Sequence, residues 1–333
     1  MSGNGSRLKT NDQTVHILNA ELLDSDGKTR LTNATIAGSQ FIETTGHPIL
    51  EDGSTIIDAK GNLLIPGLHD HHTHLVAYAA SLVSINCGPP GVVSEADLKS
   101  ALRGQPGRHW LRGTGYHESV TGHLDRQWLD TWAPDRPIRI QHRSGRLWIL
   151  NSPGMEMIAN AALSLAPHER DRLTSEDGRL YDVDELLGKL TRADVPPVRL
   201  ASQQLAAFGV TGINDMTPSN NPETWQWFSE LQVSQDLLQK VRMSGRPALI
   251  GCRQTPRLSV GETKVHLHDS SLPDFDDFVS TITESHEKQR NVAVHCVTEV
   301  ELVYTLSAFR SASTLAGDRI EHASVIPPAL IEQ

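Results

Sequence analysis

Apolar and polar positions along the 333 residues fall into three regimes. From 14 to 57, short β-branched and apolar runs (14–18, 35–37 and 55–58) are punctuated by Asp26-Gly27 and Asp52-Gly53. That pattern predicts a small antiparallel sheet. From about 82 to 200 the pattern loosens. Two strand-like pieces, 110–115 and 137–142, stand among stretches rich in glycine, proline and charge, with loop signals at Gly88-Pro89-Pro90-Gly91 and Pro196-Pro197. From 202 onward, strand-like and helix-like runs alternate. A helix over 202–208 ends at Gly209, a residue suited to a helix C-terminus. Strands are expected over 210–216, 246–254, 264–269, 291–297 and 318–323, with helices over 275–289 and 300–311. Such alternation predicts a parallel sheet with helices outside it.

Between the first two regimes lies 63–75, LLIPGLHDHHTHL, where an apolar lead runs through Pro66-Gly67 into four histidines within six residues. Side chains alternate along a strand, so His72 and His74 share a face and form a two-nitrogen clamp for one metal ion. His69 and His71 make a second spaced pair on the opposite face, and periodicity alone does not choose between the pairs. Later strands carry further donors. KVHLHD places Lys264, His266 and His268 on one face, NVAVHCV carries His295, and DRIEHA carries His322. A lone buried histidine is more often a satisfied core residue than a ligand.

The run Pro66-Gly67-Leu68-x-Asp70-x-His72-x-His74 resembles the first-strand signature of the amidohydrolase superfamily. WLRGTGYHES and HRSGRLWILNS are similar to its amidohydrolase-3 branch, whose best-known members act on N-substituted formamides and other amides. The resemblance implies an α/β fold, an incomplete (β/α)8 TIM-like barrel comprising strands 1 to 6. The N-terminal part of a small β-sandwich would occupy 1–62 and the hydrolase barrel 63–333, with an insertion at about 82–200. It also implies His72, His74, Lys264, His295 and His322 as metal ligands, with Asp70 as a supporting acid. Lys264 corresponds to a lysine that several branches carboxylate to bridge two metals. A protonated lysine would repel a dication, whereas a carbamate offers two anionic oxygens. A mononuclear site with unmodified Lys264 stays open beside that reading.

The implied activity is hydrolysis of a non-peptide, amide-type carbon–nitrogen bond in a small-molecule substrate. A bound divalent metal, zinc being favoured for nitrogen and oxygen donors, acidifies water and polarises the carbonyl, with one or two ions. A deaminase or esterase relative and a catalytically incomplete metal-binding fragment are the alternatives. The branch often carries a histidine where this chain has Arg146. His142, Arg143 and Arg146 are candidates to grip a substrate carboxylate, or else are solvated or paired structurally. The superfamily closes its site with a strand-8 aspartate, for which no counterpart is found before Gln333. The expectation is therefore a fragment with weak hydrolysis, associating through an open side as a homo-oligomer.

Composition narrows the partners. A formal charge of −10 argues against nucleic acid and acidic membranes, which call for a basic face. Hydrophobic content of 38% describes a soluble globular protein, as does a mean hydropathy of −0.33. No apolar run approaches the roughly 20 residues that span a bilayer, and 1–13 lacks a signal core, so a cytoplasmic setting is expected. Cys87, Cys252 and Cys296 show no zinc spacing. Cys296 points away from its neighbour His295, as packing rather than nucleophile.

Overall fold

A computed structural model describes residues 14–23, 26–37, 40–44, 53–103, 110–132, 135–191 and 196–331. The chain divides into two compact units, Met1–Leu68 and His69–Gln333. The first holds β1 (Val15–Leu23), β2 (Thr29–Ala37), β3 (Gln40–Thr44), β4 (Thr55–Asp58) and β5 (Leu63–Leu64). Ile17, Ala20 and Ala34 form its buried core. Gly27 adopts φ 76°, the left-handed conformation the expected turn requires. Asp52 of the second expected turn lies outside the described residues, as do 1–13.

The sheet is mixed rather than purely antiparallel. β1–β2 and β2–β3 pair antiparallel, but β4 and β5 run parallel to β1. The connection from β3 to β4 is longer than a hairpin turn, which lets β4 enter beside β1 in the same direction. Leu63 and Leu64 pair with Glu21 and Leu22, so the apolar lead belongs to this sheet and not to the histidine strand. The described residues of this unit make one sheet layer.

The second unit begins in β6 (Leu68–Thr73) and α1 (Leu75–Ser81). The insertion then builds its own five-stranded sheet. It contains β7 (Ile85–Asn86), α2 (Glu95–Arg103), β8 (Leu111–Tyr116), α3 (Arg126–Trp132), β9 (Ile138–His142), β10 (Leu147–Leu150), α4 (Ser152–Ala161), α5 (Pro167–Asp171), β11 (Arg179–Tyr181) and α6 (Asp184–Leu190). The strand order is β11-β10-β9-β8-β7. β8 and β9 match the strands expected at 110–115 and 137–142. β10 and β11 were not expected: LWIL is buried at all four positions and shows no alternation, and three residues are too few to show a period.

The remainder alternates as expected: α7 (Val198–Ala207), β12 (Val210–Asp215), α8 (Pro222–Val233), β13 (Lys240–Gly245), β14 (Leu258–His266), α9 (Phe275–Glu287), β15 (Val292–Cys296), α10 (Glu299–Ala312) and β16 (Arg319–His322). These strands order as β16-β15-β14-β13-β12-β6. The pairs from β12 through β16 are parallel. Helices cover one face. Ile213, Val241 and Met243 pack with Leu75, Ala201 and Phe228, while Val292, Val294 and Cys296 pack with Phe278, Ile282 and Phe309. The opposite face carries Arg242, Glu262, Lys264, His295 and Glu321.

One expected strand is displaced. The third strand of this sheet is Lys240–Gly245, not 246–254, where Pro247–Gly251 forms a 3-10 turn. Pro247 has no N–H to give a ladder. The carbonyls of Arg246 and Pro247 turn instead to the Arg290 guanidinium, at 3.0 and 3.1 Å. Arg290 also donates to Gly261 and Glu262 carbonyls at 2.8 Å each, and is 6% exposed. It thereby fastens β14 to the loop after β13. Replacing it leaves several buried carbonyls unsatisfied, so Arg290→Met is expected to lower unfolding free energy by about 3 kcal/mol. Urea unfolding followed by circular dichroism measures this.

Candidate metal centre

The C-terminal ends of β6, β14, β15 and β16 converge at one mouth, where chemistry sits in barrel sheets. Imidazoles from three strands touch there. His72 and His74 have ring centroids 5.3 Å apart, His72 and His322 4.8 Å, and His295 and His322 4.6 Å. His266 extends the chain of rings, 4.2 Å from His295 and 4.3 Å from His268. The register explains this: His266 lies opposite His295, and Cys296 opposite His322.

The strand-1 histidines are oriented from behind. His72 Nδ1 lies 2.5 Å from Glu321 Oε2, and His74 Nδ1 lies 3.0 Å from Thr217 Oγ1. A carboxylate partner makes His72 Nδ1 the protonated nitrogen and leaves Nε2 with its lone pair free. Asp70 accepts from the His72 N–H at 3.0 Å, which pins the end of the strand. Asp215 accepts from Leu75 N, Thr217 N and Asn220 Nδ2 at 2.9 to 3.0 Å, holding the Thr217 loop and the start of α1 together.

Burial sets the electrostatics. Lys264 is 7% exposed, and its Nζ has no hydrogen-bond partner among the described residues. Desolvation pulls its pKa down to about 8, against the opposing field of Glu321. Desolvation and neighbouring cations likewise push His266 down to about 4 and His295 to about 3. His74, His268 and His322 are lowered for the same first reason, burial. Burial pulls the Glu321 carboxyl up, but His72, Lys264 and Arg319 outweigh it and hold it below the usual range. Five of the imidazoles, His74, His266, His268, His295 and His322, are thus held neutral near an amine and a carboxylate. Among the described residues, no three His, Cys, Asp or Glu side chains converge closely enough to hold a metal ion. The ring pairs meet tilted or edge to face.

Residues 55–333 match the Amidohydrolase family. The chain belongs to the amidohydrolase family. A relative is the N-substituted formamide deformylase of Arthrobacter pascens, 23% identical over 189 residues, which cover 52% of this chain and 35% of that protein. The match therefore spans about a third of that relative's length. Two solved structures share the fold, each an uncharacterized metal-dependent hydrolase. The one from Pyrococcus furiosus has a TM-score of 0.66 at 20% identity, covering 96% of this chain and 74% of that one. The one from Pyrococcus horikoshii OT3 has a TM-score of 0.68 at 18% identity, covering 96% and 72%.

Within this amidohydrolase fold, the other sequence candidates separate. His69 faces away from the mouth, 2.9 Å from Asn214 Oδ1, and only a glycine at 212 leaves its ring room. His69 and His71 line an open cavity of about 400 Å³ with Lys240, Arg242 and Arg257, apart from the expected ligands. His142 binds Ser144 Oγ and, at 2.9 Å, Glu118. Arg146 forms a bidentate pair with Asp182, so it is not a free grip for a carboxylate. Arg143 is exposed. Cys296 is buried against Thr305, and burial raises its thiol to about 11, which fits packing.

Glu321 was missed. Strict alternation in RIEH would set Glu321 and His322 on opposite faces, yet His322 adopts φ 69° and Ala323 φ 45°, turning both toward the mouth. The depressed histidine pKa values make the metal-free protein acid-sensitive. Between about pH 6.5 and 3 the unfolded chain binds more protons than the folded one, so stability rises with pH and is lost as pH falls. The urea midpoint of metal-free protein is expected to drop from pH 7 to pH 5, and His295→Gln to flatten that drop.

Proposed function

We propose that this chain carries a metal-dependent hydrolase centre that cleaves a non-peptide, amide-type carbon–nitrogen bond in a small molecule. The observation that carries the reading is the buried, unpartnered Lys264 amine among imidazoles held neutral. An amine without a partner is costly to bury, and neutral imidazoles are the protonation state that binds cations. In donor type and protonation state the residues therefore suit the group that the sequence resemblance implies. His72, His74, His295 and His322 would hold a divalent cation, with zinc suited to the donor set and one or two ions in place. Lys264, whose lowered pKa exposes a neutral amine near pH 8, would add an anionic ligand if carboxylated, with the unmodified amine beside a single ion as the alternative. When bound, the cation supplies Lewis acidity and acidified water.

The chain's own residues prepare that chemistry. Glu321 fixes the tautomer of His72, Thr217 orients His74, and Asp70 with Asp215 holds the backbone around them. The Arthrobacter pascens relative makes an N-substituted formamide the first substrate to try. No helix among the described residues is long and apolar enough to cross a membrane.

Elemental analysis of purified protein is expected to find a bound divalent metal, with hydrolysis of N-substituted formamides lost on chelation and restored by zinc. His72→Ala combined with His74→Ala should abolish both. Glu321→Gln should weaken metal affinity by about 10- to 100-fold, as loss of a carboxylate behind a ligating histidine does. Protein that binds no metal and hydrolyses no amide overturns the reading.

A further inference from the structure

We propose that the cavity at the N-terminal ends of β13 and β14 binds a phosphate dianion, either free or as the monoester of a small molecule. His69, His71, Lys240, Arg242, Arg257 and Ser259 line this space of about 400 Å³, a size that takes small organic ligands. Strand register puts them there. Lys240 lies opposite Gly212, and Arg242 lies opposite Asn214 on one side and Ser259 on the other. Side chains alternate along a strand, and Val241, Met243 and Leu258 fill the helix-covered face. Lys240, Arg242, Arg257 and Ser259 therefore share the other face. His69 joins them from β6 through its 2.9 Å contact with Asn214, and its ring centroid lies 4.7 Å from that of His71.

Charge identifies the ligand. The chain carries −10 overall, yet none of the described residues lining the cavity is an acid. Arg242 is offset by Glu262, whose Oε1 lies 3.3 Å from its Nε and 3.2 Å from its Nη2. The other oxygen of that carboxylate is taken by Ser244 Oγ at 2.6 Å. Lys240 has no ion pair or side-chain hydrogen bond among the described residues. Arg257 Nη2 donates to the Leu237 and Leu238 carbonyls at 2.6 and 2.8 Å, which orients the guanidinium without neutralising it. Two cations thus stand uncompensated on one face, and a dianion between them turns repulsion into attraction. A phosphate monoester carries about two negative charges and three strong acceptor oxygens. The Lys240 ammonium, the fixed Arg257 guanidinium and the Ser259 hydroxyl supply the matching donors.

Calorimetry on the purified chain tests this with inorganic phosphate and phenyl phosphate as probes. At least one is expected to bind, and the tighter of the two tells free phosphate from a monoester as the source. Lys240→Gln removes an exposed charge that holds nothing in the fold, and should weaken binding about tenfold. Lys240→Glu should abolish it. His72→Ala combined with His74→Ala removes the clamp of the metal centre and should leave phosphate binding unchanged. Binding of neither probe at millimolar concentration overturns the inference. So does binding that is lost in the double histidine variant and unmoved by Lys240→Gln. Either result leaves the hydrolase reading standing, since no part of the cavity belongs to the metal centre.

Discussion

The carboxylate of Glu321 joins the two edges of the six-stranded sheet. β6 and β16 stand at opposite ends of the strand order, yet His72 on one and Glu321 on the other meet at 2.5 Å, across 249 positions of sequence. Arg319 adds a second tie, its Nη2 donating to the His71 carbonyl at 3.2 Å while its Nε lies 2.9 Å from Glu321. Edge strands meet only if the sheet curls, so these contacts record a barrel-like bend rather than an open ribbon. The same bend brings the histidines of β6 against those of β15 and β16. Position and chemistry are therefore one constraint: the carboxylate that draws the edges together also sets which nitrogen of His72 carries the proton.

That arrangement gathers like groups. Five imidazoles whose charged forms would repel one another, beside a buried amine, are tolerated because desolvation keeps them unprotonated. Glu321 and Glu262 supply the negative charge on the same face, with Glu262 held by Ser244 at 2.6 Å and Arg242 at 3.2 Å. The lysine lies in the field of both, two residues after Glu262 on β14 and facing Glu321 of β16. Neither acid gives it a hydrogen bond among the described residues, which leaves the amine as the one buried donor of the mouth still to be satisfied.

How much of this was readable in advance follows from local geometry. His72 and His74 were legible because a strand keeps a strict two-residue period, and their selection over His69 and His71 required the resemblance. The structure supplies the physical distinction: Asn214 and the space above Gly212 receive His69. The parallel sheet was legible from alternation, and most strands fell within a few residues of expectation. β13 was not, although KVRMSG alternates buried Val241 and Met243 with polar neighbours, because the PALIG beyond it is the more continuous apolar run. Glu321 was illegible for a different reason. A positive φ at His322 breaks the strand period, and no residue type announces it. The insertion was legible only as a departure, since its sheet depends on pairings whose short strands carry no period.

The insertion packs on clusters of its own, apart from those of the curled sheet. The curled sheet with its histidines is built from β6 and β12 to β16, and its donors are fixed by strand register. Arg146 and Asp182 come instead from the ends of β10 and β11, on a sheet with its own buried clusters. Because each sheet packs separately, the insertion can vary in sequence without moving the strand-end imidazoles. Arg146 is held by Asp182 on its own sheet, yet its field still reaches His266 and His268 and helps keep both below the ordinary imidazole range.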